Sequence, residues 1–150
     1  MKLILDTNVC IAFFRNPVLK EEFESRTQRP LLFLSSIVAM ELLAGCRLPR
    51  QEKALTNFLK PFEKAGRVVT PDHGSFREAG KVLAGLGADG IGTAHRRQML
   101  NDVLIAVTAT RAGAVVVTAN ARDFAQIEKH TPVRWVQPRD HAVKAFQPGP

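Results

Sequence analysis

The chain has 150 residues, 45% hydrophobic and 23% charged, an ordinary globular composition that argues against disorder and suits one domain over 1–150 whose core needs no disulfide or metal staple. Lysine and arginine number 21 against 14 acids, a net charge of +7, and such a balance favours a polyanionic partner. No apolar run reaches the ~18–20 residues of a membrane span; the first, Leu3-Ile4-Leu5, stops at Asp6 and is too short for an export signal, and Cys10 and Cys46 form no metal-type pair, so the expected compartment is a reducing cytoplasm.

Strands and helices alternate along the chain. Lys2–Leu5 reads as a short buried strand, followed by helices over Asn8–Arg15 and Pro17–Arg26 that divide at Pro17. Leu31–Leu34 is a second apolar strand, after which Ser35 or Ser36 caps a helix running to about Cys46. Leu48–Lys64 is helical, and Leu55, Phe58, Leu59 and Phe62 share one of its faces at i, i+3, i+4, i+7 spacing. Pro61 should kink or end that helix. Arg67–Thr70 is a third strand, and Asp72 caps a helix through about Leu86. The glycines at 85, 87, 90 and 92 mark a loop over Gly85–Thr93. Met99–Ala112 is a further helix closed by Gly113, Ala114–Thr118 a fourth strand, Ala121–Lys129 a short helix and Val133–Val136 a fifth strand. Phe146–Pro150 reads as a frayed tail.

Short, continuously apolar strands separated by helices imply an α/β fold with a parallel sheet covered on both faces. Ligands of such folds gather at the carboxyl ends of the strands. Asp6 directly follows the first strand, and Asn120 and Asp123 follow the fourth. Glu41 interrupts the apolar run Ile37-Val38-Ala39-Met40-Glu41-Leu42-Leu43, and Asp102 opens a helix that is apolar nearly all round. Carboxylates among residues that favour burial need a cation, a donor network or a metal. Each also has a purely structural reading: Asp6 as a helix cap, Glu41 in a surface ion pair, Asp102 and Asp123 as first-turn acids.

The chemistry that calls for four such acids together is divalent-metal catalysis, with Mg²⁺ or Mn²⁺ as the expected cofactor because both prefer hard carboxylate oxygens. A metal there lowers the pKa of bound water and neutralises charge growing on a phosphate. The histidines at 73, 95, 130 and 141 are scattered and read as surface residues, and no GxxxxGK[ST] phosphate loop is present. Candidate phosphate-holding cations are Arg15, Arg47, Arg50, Lys53, Arg96, Arg97 and Arg122, each of which also reads as a solvated surface charge.

Four segments carry a family resemblance across nearly the whole chain. Met1-Lys2-Leu3-Ile4-Leu5-Asp6-Thr7-Asn8, Ser35 through Glu41-Leu42 with Gly45, Asn101-Asp102-Val103-Leu104-Ile105-Ala106, and Thr118-Ala119-Asn120-Ala121-Arg122-Asp123-Phe124 resemble, in order, the motifs of the PIN-domain nucleases, and specifically the VapC-like toxins of type II toxin–antitoxin pairs. The resemblance implies a three-layer α/β/α sandwich around a mostly parallel five-stranded sheet. It implies a metal-dependent endoribonuclease with Asp6, Glu41, Asp102 and Asp123 as catalytic, metal-binding acids and Thr7, Asn8, Thr118 and Asn120 as their supports. It also implies RNA as substrate, with tRNA or rRNA as candidates, a cognate antitoxin, a homodimer and no membrane partner. The face of Leu55, Phe58, Leu59 and Phe62, which is core by the plain reading, becomes by resemblance part of an antitoxin groove. Val38 departs from the family pattern, standing where many relatives have Thr, and the Gly85–Thr93 loop looks longer than usual. A solitary RNA-processing PIN nuclease would carry the same motifs. A phospho-accepting receiver domain is the rival from another class, but no second acid adjoins Asp6 and no suitable lysine follows Thr118. A metal-free RNA-binding module would be favoured by loss of an acid, and all four are present.

Overall fold

A computed structural model describes residues 1–26 and 31–138; the proposed tail at 146–150 and the histidine at 141 lie outside the described residues. Five strands, β1 (Lys2–Leu5), β2 (Leu31–Ser35), β3 (Val68–Val69), β4 (Val115–Val117) and β5 (Arg134–Val136), form one sheet in the order β3-β2-β1-β4-β5. Every pairing is parallel. β1 and β4 lie at its centre, and Leu3, Ile4 and Val115–Val117 have no exposed surface, which explains their unbroken apolar runs.

Helices α1 (Thr7–Arg15), α2 (Pro17–Arg26), α3 (Ser36–Ala44) and α4 (Pro49–Lys64) link β1 to β2 to β3. Helices α5 (His73–Ala88), α6 (Thr93–Gln98) and α7 (Leu100–Ala112) link β3 to β4, and α8 (Ala121–Ile127) links β4 to β5. Right-handed crossovers put the first group on one face of the sheet and the second on the other, because the chain reverses its direction across the sheet between β3 and β4. The result is the expected three-layer sandwich. Seven consecutive residues of α7, Val103–Ala109, are buried, so this helix is the centre of its layer, as its all-round apolar sequence requires.

Local signals end the elements as expected in most places. Ser35 Oγ accepts from the Ile37 amide, and Asp72 Oδ1 accepts from the Ser75 amide. Gly113 closes α7 at φ 66°, a left-handed position that suits glycine. Three expectations are corrected. Pro61 does not end α4; it falls in the last helical turn, and the helix continues to Lys64. Gly85 and Gly87 are helical, because α5 runs to Ala88. Only residues 89–92 form the loop, and α6 begins at Thr93 where none was expected.

Ile105→Ala, at a fully buried site on α7, should cost about 2–5 kcal/mol. Gly113→Ala should cost about 1–2 kcal/mol through the left-handed backbone alone. Urea unfolding midpoints measure both; a Gly113→Ala loss as large as that of Ile105→Ala would place α7's stability in its end rather than its burial.

Candidate active site

The strand order reverses between β1 and β4, so the carboxyl ends of these two strands diverge around a crevice. Asp6 follows β1 with its amide still bonded to the Val117 carbonyl at 2.9 Å. That bond fixes the backbone, and the side chain is only 2% exposed. Asp6 caps α1, its Oδ1 accepting from the Thr7 amide at 2.7 Å. Oδ2 accepts from Thr118 Oγ1 at 2.6 Å and Asn8 Nδ2 at 2.7 Å. Thr118, just past β4, in turn accepts from the Asn120 amide at 2.9 Å.

The other three acids arrive on helices. Glu41 projects from α3, where Asn101 Nδ2 donates to Oε1 at 2.7 Å and the Thr7 hydroxyl donates to Oε2. Asp102 lies in the first turn of α7 and Asp123 in the first turn of α8. One amide nitrogen, Asn120 Nδ2, donates to Asp102 Oδ2 at 2.7 Å and to Asp123 Oδ2 at 3.0 Å, which sets those two carboxylates side by side. Thr7, Asn8, Thr118 and Asn120 each contact one or two of the acids.

Two polar neighbours went unmarked as site residues in the sequence. Asn101, quoted only as part of a motif, holds Glu41. His95 on α6 places Nε2 3.1 Å from Asp123 Oδ1; it read as a surface histidine because α6 itself was unmarked. Apart from this histidine, no lysine, arginine or histidine side chain bonds to the four acids among the hydrogen bonds and ion pairs of the described residues.

Charge accumulates in this crevice. Burial, then the negative charge of Asp6, with those of Asp123 and Glu41 behind it, push the Asp102 carboxyl up to about 7 against the pull of the Asn120 amide. Burial likewise raises Asp6, more than its hydrogen bonds lower it. Among the described residues no three His, Cys, Asp or Glu side chains converge on a ready-made cage; threonine and asparagine donors stand between the acids. The donor set is nevertheless all oxygen, and a Mg²⁺-like ion that keeps several waters needs only one or two carboxylates. Its chemistry fits the residues present.

Of the candidate RNA-binding cations, Arg15, Arg47, Arg50, Lys53, Arg97 and Arg122 are exposed, and Arg97 and Arg122 flank the His95–Asp123 contact in sequence. Arg96 is corrected: its guanidinium turns inward, donating to the Leu83 carbonyl at 3.3 Å and to Thr93 Oγ1 at 3.2 Å. Its space is the one left by Gly87, where a Cβ would come 2.7 Å from Nη1.

The face expected for a protein partner divides. Leu55 and Leu59 are buried in the core and cannot line a groove, because this side of α4 packs down onto the sheet. Phe58 and Phe62 are half-buried and open, with Phe13, Phe14 and Pro61, onto an apolar cavity of about 550 Å³ between α1, α2 and α4. The Phe58 ring meets those of Phe14 at 4.8 Å and Phe62 at 5.4 Å.

The raised carboxyls set the sign of a pH effect. A folded pKa near 7 for Asp102 against about 3.9 unfolded means that the folded chain binds the extra proton between those values. Stability with divalent ions chelated should therefore fall as pH rises from about 4 to 7. Asp102→Asn should flatten that fall and exceed wild type in melting temperature at pH 8. Parallel pH profiles for the two proteins would contradict the assignment of this charge to Asp102.

A family model for the PIN domain matches residues 3–130. A tRNA(fMet)-specific endonuclease VapC from Salmonella typhimurium is 31% identical over 129 residues, which cover 85% of this chain and 92% of that protein. The crystal structure of DNA-bound VapBC from Salmonella typhimurium aligns with a TM-score of 0.65 at 29% identity, over 92% of this chain and 98% of the other. VapBC-1 from nontypeable Haemophilus influenzae shares the fold, with a TM-score of 0.66 at 24% identity over 93% and 100% of the two chains. The matched span takes in β1, β4 and all four acids of the crevice, and the chain is a VapC-like member of the PIN domain family.

Proposed function

We propose that this protein is a divalent-metal-dependent endoribonuclease acting on tRNA, and that it serves as the toxin of a toxin–antitoxin pair. The observation that carries the reading is the meeting of Asp6, Glu41, Asp102 and Asp123 around neutral Thr and Asn donors where the strand order reverses. The tRNA substrate class follows the curated relative from Salmonella typhimurium, whose name states it. A Mg²⁺ or Mn²⁺ ion held by these oxygens supplies a water of lowered pKa and neutralises charge on the phosphate.

The chain's own residues do the rest. Asp6, locked by Thr118, Asn8 and the Thr7 amide, contributes a carboxylate that needs no reorganisation when substrate arrives. Asn120 holds Asp102 and Asp123 with adjacent oxygens facing one donor. Glu41, tied at both oxygens by Thr7 and Asn101, completes the negative wall. Arg97 and Arg122, exposed and close in sequence to His95 and Asp123, hold flanking phosphates by charge, while the wider basic surface supplies the remaining affinity.

The antitoxin reading rests on the cavity between α1, α2 and α4. An amphipathic helix laying apolar side chains among Phe13, Phe14, Phe58 and Phe62 fits its size and lining. The DNA-bound VapBC structure from Salmonella typhimurium favours such a partner, and a gene neighbouring this one is where to look for it.

Asp6→Asn and Asp123→Asn should each abolish cleavage of tRNA in Mg²⁺ while RNA binding stays within a few-fold of wild type. The logarithm of that binding constant should fall linearly with the logarithm of salt, by roughly 0.7–0.9 per phosphate contacted. Cleavage that survives both substitutions would overturn the nuclease assignment. Expression of the wild type alone should arrest growth, and co-expression of the neighbouring small gene should relieve the arrest. Phe14→Ala with Phe58→Ala should weaken partner capture at least tenfold while tRNA cleavage persists; undiminished capture by a folded double variant would remove the cavity from the account.

A further inference from the structure

We propose that His95 is a positioning residue for the Asp123 carboxylate. The inference rests on the nuclease reading above and names a part that the four acids and their Thr and Asn supports do not include. Three observations carry it.

The first is the geometry at Asp123. Its two oxygens are held from different elements: Asn120 Nδ2 takes Oδ2 at 3.0 Å, and His95 Nε2 takes Oδ1 at 3.1 Å. A carboxylate held at one oxygen can still swing about its side-chain torsions. Held at both, it has one orientation. Two of the other acids show the same pattern, Glu41 tied at both oxygens by Thr7 and Asn101 and Asp6 by the Thr7 amide and Thr118. Asp102 is held at one oxygen, by Asn120, and without His95 Asp123 would be held at one oxygen as well.

The second is that the position of His95 is fixed by groups that never touch the crevice. Arg96, the next residue, packs across Gly87 of α5 and donates to the Leu83 carbonyl and to Thr93 Oγ1. Met99, which ends α6, has no exposed surface, and its amide donates to the His95 carbonyl at 3.0 Å. A six-residue helix has little stability of its own, yet α6 is pinned on both sides of His95. The anchor is α5, on which α6 and α7 both pack.

The third is exposure. The His95 side chain is 40% exposed and that of Asp123 14%. The histidine therefore does not fill the core, and its loss removes a hydrogen bond without opening a cavity. With its histidine end open to solvent the pair contributes little to folding, and an imidazole N–H that orients a ligating carboxylate accounts for it better.

The test uses Mn²⁺ binding to the purified protein without RNA, read by calorimetry, beside kcat and KM for tRNA cleavage. Loss of a partner that orients a metal ligand typically weakens metal affinity 10–100-fold. His95→Ala should weaken Mn²⁺ binding about tenfold and lower kcat, with KM for RNA within twofold and the melting temperature of the metal-free protein unchanged. His95→Gln, whose amide can reach the same oxygen, should recover most of both. Asp123→Asn is the reference and should lose Mn²⁺ binding more severely than either. Wild-type Mn²⁺ affinity in His95→Ala together with a loss in Asp123→Asn overturns the inference and leaves the nuclease reading standing. Wild-type affinity in both variants overturns the metal assignment, and this inference with it. A His95→Gln protein as weak as His95→Ala at the same melting temperature also overturns it, because a donor at that position would then not be what matters.

Discussion

Four carboxylates gathered on a scaffold of apolar strands and helices repel one another and lose hydration, and the arrangement around them follows from that cost. Asp6 is the most confined, at 2% exposure, and it carries the fullest set of donors: a backbone amide, a hydroxyl and a side-chain amide. These donors are neutral, so they satisfy the oxygens without cancelling the charge. The uncancelled charge shows in Asp102, whose carboxyl is pushed towards neutral pH by burial and by Asp6. On the proposed reading, a bound cation would relieve the same repulsion that makes the site costly without one.

The sheet makes the gathering possible. Backbone hydrogen bonds continue one residue past β1 and β4, from the Asp6 amide to Val117 and from the Thr118 amide to Val136, so the first polar residue after each strand is positioned as firmly as the strand itself. Asp6 and Thr118 can therefore bond at 2.6 Å across 112 residues of sequence. Helix first turns bring two of the remaining acids to that edge, α7 with Asp102 and α8 with Asp123, where a negative charge also meets the favourable end of the helix dipole, and Glu41 comes from the second turn of α3. The same packing leaves the aromatic cavity between α1, α2 and α4 open, away from the acids' own donors.

How much of this the sequence reveals depends on whether a signal is local. The strands are readable because each is an unbroken apolar run stopped by a polar residue, and the four acids because they stand where such runs end or are interrupted. Gly85 and Gly87 mislead, since glycine reads as a loop former. Here each lies inside α5 because another side chain needs the room: a Cβ at Gly85 would come 2.4 Å from His130 Nδ1, and one at Gly87 would meet Arg96. Those partners are 45 and 9 residues away in sequence, and no local pattern announces them. Missing α6 hides His95 and makes Arg96 look like a surface cation. Leu55 and Leu59 share a helical face with Phe58 and Phe62, but periodicity cannot say where the core stops along that face.

The most direct test of the central claim, that mutual repulsion among the acids is relieved by a bound cation, is the melting temperature as a function of Mn²⁺ at pH 8 for wild type and Asp102→Asn. Linkage to a ligand that binds only the folded chain stabilises by roughly 2.7 kcal/mol at a hundredfold excess over Kd. The account predicts that wild type starts lower than Asp102→Asn without metal and rises steeply as Mn²⁺ is added, while the variant rises much less. Equal starting points with identical responses to Mn²⁺ would contradict it.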